Sequence, residues 1–232
     1  MKNIINSICI IPARGGSKRI PNKNIKFFSG KPIIQHVIDI LKKSKLFKII
    51  IISSDSEKIL KIAKKNKCSA HLRKKNLSDD YTTTTDVINN VIKDYQNEIN
   101  FDKVFCVYPT SVFLKKNHIS YALKKIKKTN NFIFSATSYS HPIQRSFYKS
   151  KINTIRMFDN RHSKTRTQDL KTYYHDAGQF YLGWKSSWLK KKPIFSGPNH
   201  FIELSELETH DFDFPKDWSI ALKKWKFFKL KK

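Results

Sequence analysis

Residues 10–24 read IIPARGGSKRIPNKN: an apolar run breaks into two adjacent glycines, Gly15 and Gly16, and four cations, Arg14, Lys18, Arg19 and Lys23. An apolar strand that opens into a glycine-rich basic turn sets backbone N–H groups and positive charge around a phosphate. The ligand such a turn suits first is a nucleoside triphosphate, whose negative charge the four cations offset. Two common phosphate loops do not fit. A GxxxxGK[ST] loop would need glycine where Ile25 stands and a hydroxyl where Pro32 follows Lys31. The GxGxxG dinucleotide signature fails because Gly15 and Gly16 are adjacent and no third glycine follows at the required spacing. The turn is a phosphate loop of another kind, or simply a basic strand-to-helix connection.

Further clusters carry chemistry. In HDFDF, Asp211 and Asp213 lie two apart, so a strand conformation points both carboxylates to one face. Together they suit Mg²⁺, a hard cation that prefers carboxylates, water and phosphate oxygens; a solvated turn before Pro215 is the plainer account of the same residues. Four threonines precede Asp86 and a helical pattern, which assigns one of them to an N-cap and leaves another hydroxyl to bind. His175, Asp176, Gln179 and Tyr181 precede or enter a strand-like run, where alternation aims some side chains into a cleft and others into the core.

The elements that must position these residues alternate. Strand-like runs occur at 7–13, 48–54, 103–109 and 132–138, with helical periodicity at 32–44, 56–66 behind Ser56 as cap, 84–95 and 118–128. That alternation predicts βα units on a mainly parallel sheet, hence an α/β fold. After Ser140 the regularity lapses, and residues 141–172 read as an excursion from the sheet, an arm or lid of short strands. GQFYLGW at 178–184 returns as a strand, and DFPKDWSIALKKWKFF reads as a turn and a closing helix. At 232 residues, one main domain with an inserted arm accounts for the whole length.

Lys plus Arg number 46 against 18 Asp plus Glu, a formal net charge of +28. A balance this basic admits nucleic acid or an anionic surface as partner, yet the lysines are spread over almost every predicted helix and not gathered into one arm. Solvated helix faces account for them more simply. Cys9, Cys68 and Cys106 form no CxxC pair, which supports neither a disulfide framework nor a zinc site and fits a reducing cytoplasm. No run approaches the ~18 apolar residues of a membrane span, and the four-residue run from Ile8 to Ile11 is too short for a signal core. A cytoplasmic protein that binds no membrane is the expectation.

The ARGGSKRIPNKN stretch closely resembles the opening signature of the acylneuraminate cytidylyltransferases, which activate nonulosonic acids with CTP. ISSDSEKI (52–59), HLRKKNLSDDYTTTTDVI (71–88) and VYPTSVFL (107–114) resemble further family segments in the same order. SYSHPIQRSF (138–147), TRTQDL (165–170), YHDAGQFYLG (174–183) and DFDFPKDW (211–218) resemble the pseudaminic acid branch. A Rossmann-like nucleotidyltransferase with a small dimerisation excursion is what this resemblance implies.

Carried over position by position, it gives Arg14, Lys23 and Asn24 to the triphosphate, with Gly15, Gly16, Ser17 and Lys18 in the same loop. Arg73, Thr83 and Thr84 fall near the cytidine. Lys23, Asp211 and Asp213 are the implied catalytic set, the two aspartates holding Mg²⁺. Gln144, Arg145, Arg166, Gln168, His175, Asp176, Gln179 and Tyr181 are implied for the anionic sugar, whose carboxylate arginine can grip bidentately. One departure stands out: the family has threonine after the second aspartate, where this chain has Phe214. The implied reaction joins CTP and pseudaminic acid into CMP-pseudaminic acid and pyrophosphate for bacterial surface glycosylation, in a homodimer. N-acetylneuraminic or legionaminic acid as substrate, or a basic nucleic-acid-binding protein, are the alternatives.

Overall fold

The first apolar run has side chains for two faces. In the computed structural model, which describes residues 6–230, β1 (Ser7–Pro12) sends Cys9 and Ile11 into one core and Ile8 and Ile10 into another. A strand buried on both sides needs helices on both sides, and the chain supplies them. A short ribbon of β2 (Phe27–Phe28) and β3 (Lys31–Pro32) leads into α1 (Ile33–Ser44). The alternation continues through β4 (Ile50–Ser54), α2 (Glu57–Lys65), β5 (Ser69–Leu72), α3 (Thr84–Tyr95), β6 (Lys103–Val107), α4 (Lys116–Lys125) and β7 (Phe132–Ser138). Strands β8 (Phe147–Lys149) and β9 (Ile155–Met157) pair with each other outside the main sheet. The chain then returns as β10 (Tyr174–Trp184), followed by α5 (Lys185–Leu189), β11 (His200–Glu203) and α6 (Pro215–Leu230).

The main sheet has the order β11-β7-β10-β6-β1-β4-β5. β1 pairs in parallel with β4 and β6, β4 with β5, and β7 with β11; β10 runs antiparallel to both its neighbours. The mainly parallel α/β expectation therefore holds. Helices α1, α2 and α4 cover one face through Ile34, Val37, Ile59 and Ile119, and α3 with α5 covers the other through Ile88, Val91 and Trp188. A third cluster packs Trp218 and Trp225 of α6 on Phe28 and Phe113.

Differences from the sequence reading concern short or irregular pieces. β5 and β11 are the two sheet edges, four residues each and mixed in polarity, with no alternation long enough to announce them. Ser56 stands at the N-cap of α2 but its side chain makes no capping bond. β10 begins at Tyr174, earlier than the apolar run, and its pairing with β7 shifts between Asp176 and Tyr181. Among the described residues, no helix is long and apolar enough to cross a membrane.

Candidate active site

β1, β4, β5 and β6 are parallel, so their carboxyl ends open on one side, where α/β sheets bind ligands. A cavity of about 430 Å³ lies there. The loop after β1 brings Arg14, Lys23 and Asn24 to it, and the turn after β5 brings Arg73. Thr84 opens α3 on its wall, Tyr108 to Thr110 follow β6, and Asp211 and Asp213 face it ahead of α6. Because β10 is antiparallel, its first half lies on this same side and presents Gly178. Ser17 and Lys18 line an adjoining recess that shares Arg14, Lys23 and Asn24 with the main cavity.

The loop after β1 is pinned by short-range geometry. Gly15 passes so close to the start of α2 that a Cβ there would sit 2.9 Å from Ser56 Cβ. Its N–H donates to Asp55 Oδ1 at 2.7 Å, while its carbonyl accepts from Ser17 N–H at 3.0 Å; nothing lies within 4 Å of a Cβ at Gly16. Asn24 closes the loop by donating from Nδ2 to Arg14 O at 2.8 Å. Lys23 reaches across to donate to Phe212 O at 2.8 Å, which joins the basic loop to the aspartate pair. Burial holds the Lys23 ammonium below the usual lysine range, against the attraction of Asp213.

Asp211 and Asp213 lie in no strand, yet the expected alternation survives. Phe212 is buried against Phe28 and Trp218, and both flanking carboxylates face the cavity. Gly178, at φ 59°, keeps the approach to Asp211 open: a Cβ there would meet Asp211 Oδ1 at 3.4 Å. Partial desolvation, then the neighbouring Asp213 carboxylate, push the Asp211 carboxyl above the usual range. Asp213 pairs with Arg19 Nη2 at 2.9 Å. Where the threonine is missing, Asp217 caps α6 instead, accepting from the Phe214 and Asp213 amides at 2.7 and 2.9 Å; Phe214 itself sits under the Arg19 guanidinium.

Arg73 is 6% exposed and lines the cavity. It donates to Ser53 O at 2.8 Å, and no carboxylate among the described residues forms an ion pair with it. Burying a cation is costly, and burial pulls its pKa down, partly offset by the nearby Asp55 carboxylate. Arg14 and Lys18 differ: both pair with the exposed Asp80, each at 2.5 Å. Of the threonines, Thr83 caps α3, accepting from Asp86 N–H at 3.2 Å, while Thr84 is bonded to the Tyr108 hydroxyl at 2.9 Å on the cavity wall.

The residues assigned to the sugar are not gathered here. Gln144 is buried and donates to Lys171 O at 2.8 Å, tying together the two ends of the excursion. Arg145 donates to Thr165 O and Arg166 to Asp169, with Gln168 exposed on the same turn. Gln179 is buried and donates to Glu208 O, and the Tyr181 hydroxyl donates to Asp176. His175 and Asp176 line a separate cavity of about 320 Å³ walled by Phe134, Phe195 and Phe201. Sequence reasoning did not assign Asp79, Asp80, Thr82, Tyr108 or Thr110, all of which line the main cavity. The VYPT turn was the available signal for the last two, and the 71–88 segment for Asp79, Asp80 and Thr82, though nothing in it singled those residues out.

Comparison with known proteins agrees with this geometry. A family described as Cytidylyltransferase matches residues 8–229. The chain is 43% identical to a pseudaminic acid cytidylyltransferase of Campylobacter jejuni, over 94% of this chain and 95% of that one. It is 32% identical to a CMP-N,N'-diacetyllegionaminic acid synthase of Legionella pneumophila, over 93% and 94% respectively. In fold it is similar to a CMP:2-keto-3-deoxy-manno-octonic acid synthetase solved in complex with CTP, with TM-score 0.69 at 16% identity, covering 95% of this chain and 98% of that one. A matched region spanning almost every described element, together with the basic loop and the paired aspartates in one cavity, places the chain in the cytidylyltransferase family.

Proposed function

We propose that this chain transfers CMP from CTP to pseudaminic acid, releasing pyrophosphate. The observation that carries the reading is the convergence in one cavity of a buried Arg73, which forms no ion pair among the described residues, with Arg14, Lys23 and the Asp211–Asp213 pair. Such a site asks for a polyanion together with a hard cation. The Campylobacter relatives, at 43% and 42% identity, favour pseudaminic acid over the legionaminic acid named for the relative at 32%.

In the reaction the anomeric hydroxyl oxygen of the sugar bonds to the α-phosphorus of CTP, the bond to the bridging oxygen breaks, and pyrophosphate leaves with that electron pair. The hydroxyl proton passes to solvent or a neighbouring carboxylate. Arg14 and Lys23 hold the phosphates and meet charge that builds on them, which lowers the barrier without any covalent bond to the protein. Arg73 and Thr84 hold the nucleoside end. Asp211 and Asp213 fit Mg²⁺: two carboxylates share one wall, Gly178 leaves Asp211 uncovered, and burial together with the Asp213 carboxylate beside it raises the Asp211 carboxyl, a cost a bound cation would offset. When bound, the ion neutralises phosphate charge.

The 141–172 excursion is proposed as a dimer contact. Its paired strands leave Phe147, Tyr148, Ile155 and the nearby Phe158 exposed, and an isolated two-stranded ribbon is marginal in water. A second copy covering it gives a particle of twice 27.3 kDa, which sedimentation reads directly; a monomer with full activity contradicts it. The function itself is tested by pyrophosphate release across a panel of nucleotides and nonulosonic acids. CTP with pseudaminic acid is expected to be fastest, and a preference for ATP or UTP would reject the reading.

A further inference from the structure

Behind Arg73, away from the cavity, four side chains form a line. Arg73 Nε lies 3.4 Å from Ser53 Oγ, Ser53 Oγ lies 3.0 Å from His71 Nδ1, and His71 Nε2 lies 2.9 Å from Asp94 Oδ2. Ser53 is fully buried and His71 is 7% exposed. The line is built by pairing and packing. Ser53 of β4 and His71 of β5 are register partners, and Arg73 follows β5 with its N–H on Ser54 O at 2.9 Å. Asp94 belongs to α3, the same helix whose first residue, Thr84, stands on the cavity wall.

Donor and acceptor capacities allow one arrangement that uses every group. A guanidinium only donates and an ionised carboxylate only accepts. Arg73 Nε–H therefore donates to Ser53 Oγ, and Asp94 accepts from His71 Nε2–H. His71 Nδ1 is then bare and accepts from the Ser53 O–H. Each hydrogen points the same way along the line, from Arg73 out to Asp94, where Asn90 adds a further donor at 3.0 Å. The Ser–His–Asp order invites comparison with a hydrolytic triad, but Ser53 is sealed from solvent and borders neither the main cavity nor its recess. Its hydroxyl cannot attack a substrate there.

We propose that His71 and Asp94 are positioning residues for the nucleotide: they orient the Ser53 hydroxyl so that its lone pair fixes Arg73 Nε and presents the rest of the guanidinium to CTP. This rests on Arg73 as a nucleotide contact. With the hydroxyl turned, Ser53 would compete with Arg73 for the same direction, and the guanidinium would be held only by its bond to Ser53 O at 2.8 Å, free to pivot about it. Loss of one hydrogen bond of ordinary strength corresponds to about fivefold in affinity.

The test is a kinetic cycle with His71→Leu, His71→Asn and Arg73→Met. Asn places an amide oxygen near the position of Nδ1 and can accept from Ser53, whereas Leu cannot. His71→Leu is expected to raise the KM for CTP about fivefold with the KM for the sugar acid unchanged, and His71→Asn to restore most of it. In the Arg73→Met background, His71→Leu is expected to add nothing, because the group it positions is gone. An additive effect there, a loss confined to kcat, or no recovery with Asn would overturn the proposal. Asp94→Ala, at a solvent-facing position, reads the same cycle if His71→Leu does not fold, and an unchanged KM for CTP would overturn it equally. An Arg73→Met variant that binds CTP normally would instead refute the nucleotide role of Arg73.

Discussion

Replacing Arg73 by Met separates a ligand-directed cation from a structural one. The two protein atoms Arg73 holds both keep other partners: Ser53 O accepts from Ala13 N–H at 2.9 Å, and Ser53 Oγ is bonded to His71 at 3.0 Å. The substitution thus orphans no buried polar group, and it removes a buried cation that forms no ion pair among the described residues and is attracted only at longer range by Asp55. Removing the charge relieves its desolvation cost, so the free protein should retain its stability within ~1 kcal/mol. CTP should lose a charge-assisted contact of about 1.5 to 3 kcal/mol, or roughly 10- to 150-fold in affinity. At a CTP concentration ~100 times the wild-type Kd, ligand stabilisation is about 2.7 kcal/mol; a 30-fold weaker site would leave about 0.9. Chemical denaturation with and without CTP measures both quantities on one sample. Unchanged CTP stabilisation would refute the reasoning, as would a variant that unfolds without ligand yet binds CTP as before.

Asp213→Asn keeps the shape but removes charge from the proposed ion site, and turnover should fall ~10²- to 10³-fold, from about 3 to 4 kcal/mol of lost stabilisation; near-normal rates with unchanged Mg²⁺ dependence in steady-state assays would move the ion to other ligands. Asp80→Asn frees Arg14 and Lys18 from an exposed partner worth at most ~1 kcal/mol, so CTP affinity measured by calorimetry should rise by no more than about fivefold, and a loss would make Asp80 a ligand contact. Burial alone would raise the Glu208 carboxyl, but Lys115, Ser205 and His118 outweigh it and bring it down to about 2, from an ordinary 4.5. Its stabilisation is complete above the ordinary value and is lost as pH falls toward about 2. Acid denaturation curves should therefore flatten in Glu208→Gln, and identical curves would contradict the assignment.

What could be read from the chain beforehand was local. Gly15, Arg14, Lys23 and Asn24 announce themselves because a glycine turn and its cations lie within a dozen residues of one another. Thr83 and Thr84 divide into cap and wall as a threonine run before a helix suggests. Asp211 and Asp213 share a face even without a strand ladder, since burying Phe212 between them is enough. Asp80 lay inside the 71–88 segment, but its pairing was invisible: nothing near it distinguishes a solvated carboxylate from one that meets Arg14, 66 positions away. Gln144, Gln179 and Tyr181 differ in the other direction. Their donors were assigned to a ligand, but the chain itself accepts from each, at Lys171 O, Glu208 O and Asp176. A polar side chain's type states its capacity to bond and not its partner. Edge strands β5 and β11 escaped because four residues of mixed polarity carry no period.

On this reading the cavity at the carboxyl ends of β1, β4, β5 and β6 joins CTP to pseudaminic acid. Phosphorus NMR of the purified protein with CTP, pseudaminic acid and Mg²⁺ tests it most directly. The expected result is a new phosphodiester resonance, from CMP linked to the sugar, growing in step with pyrophosphate and only when all three are present. Pyrophosphate that accumulates without the sugar acid, or a phosphodiester formed faster with N-acetylneuraminic or legionaminic acid, would contradict it.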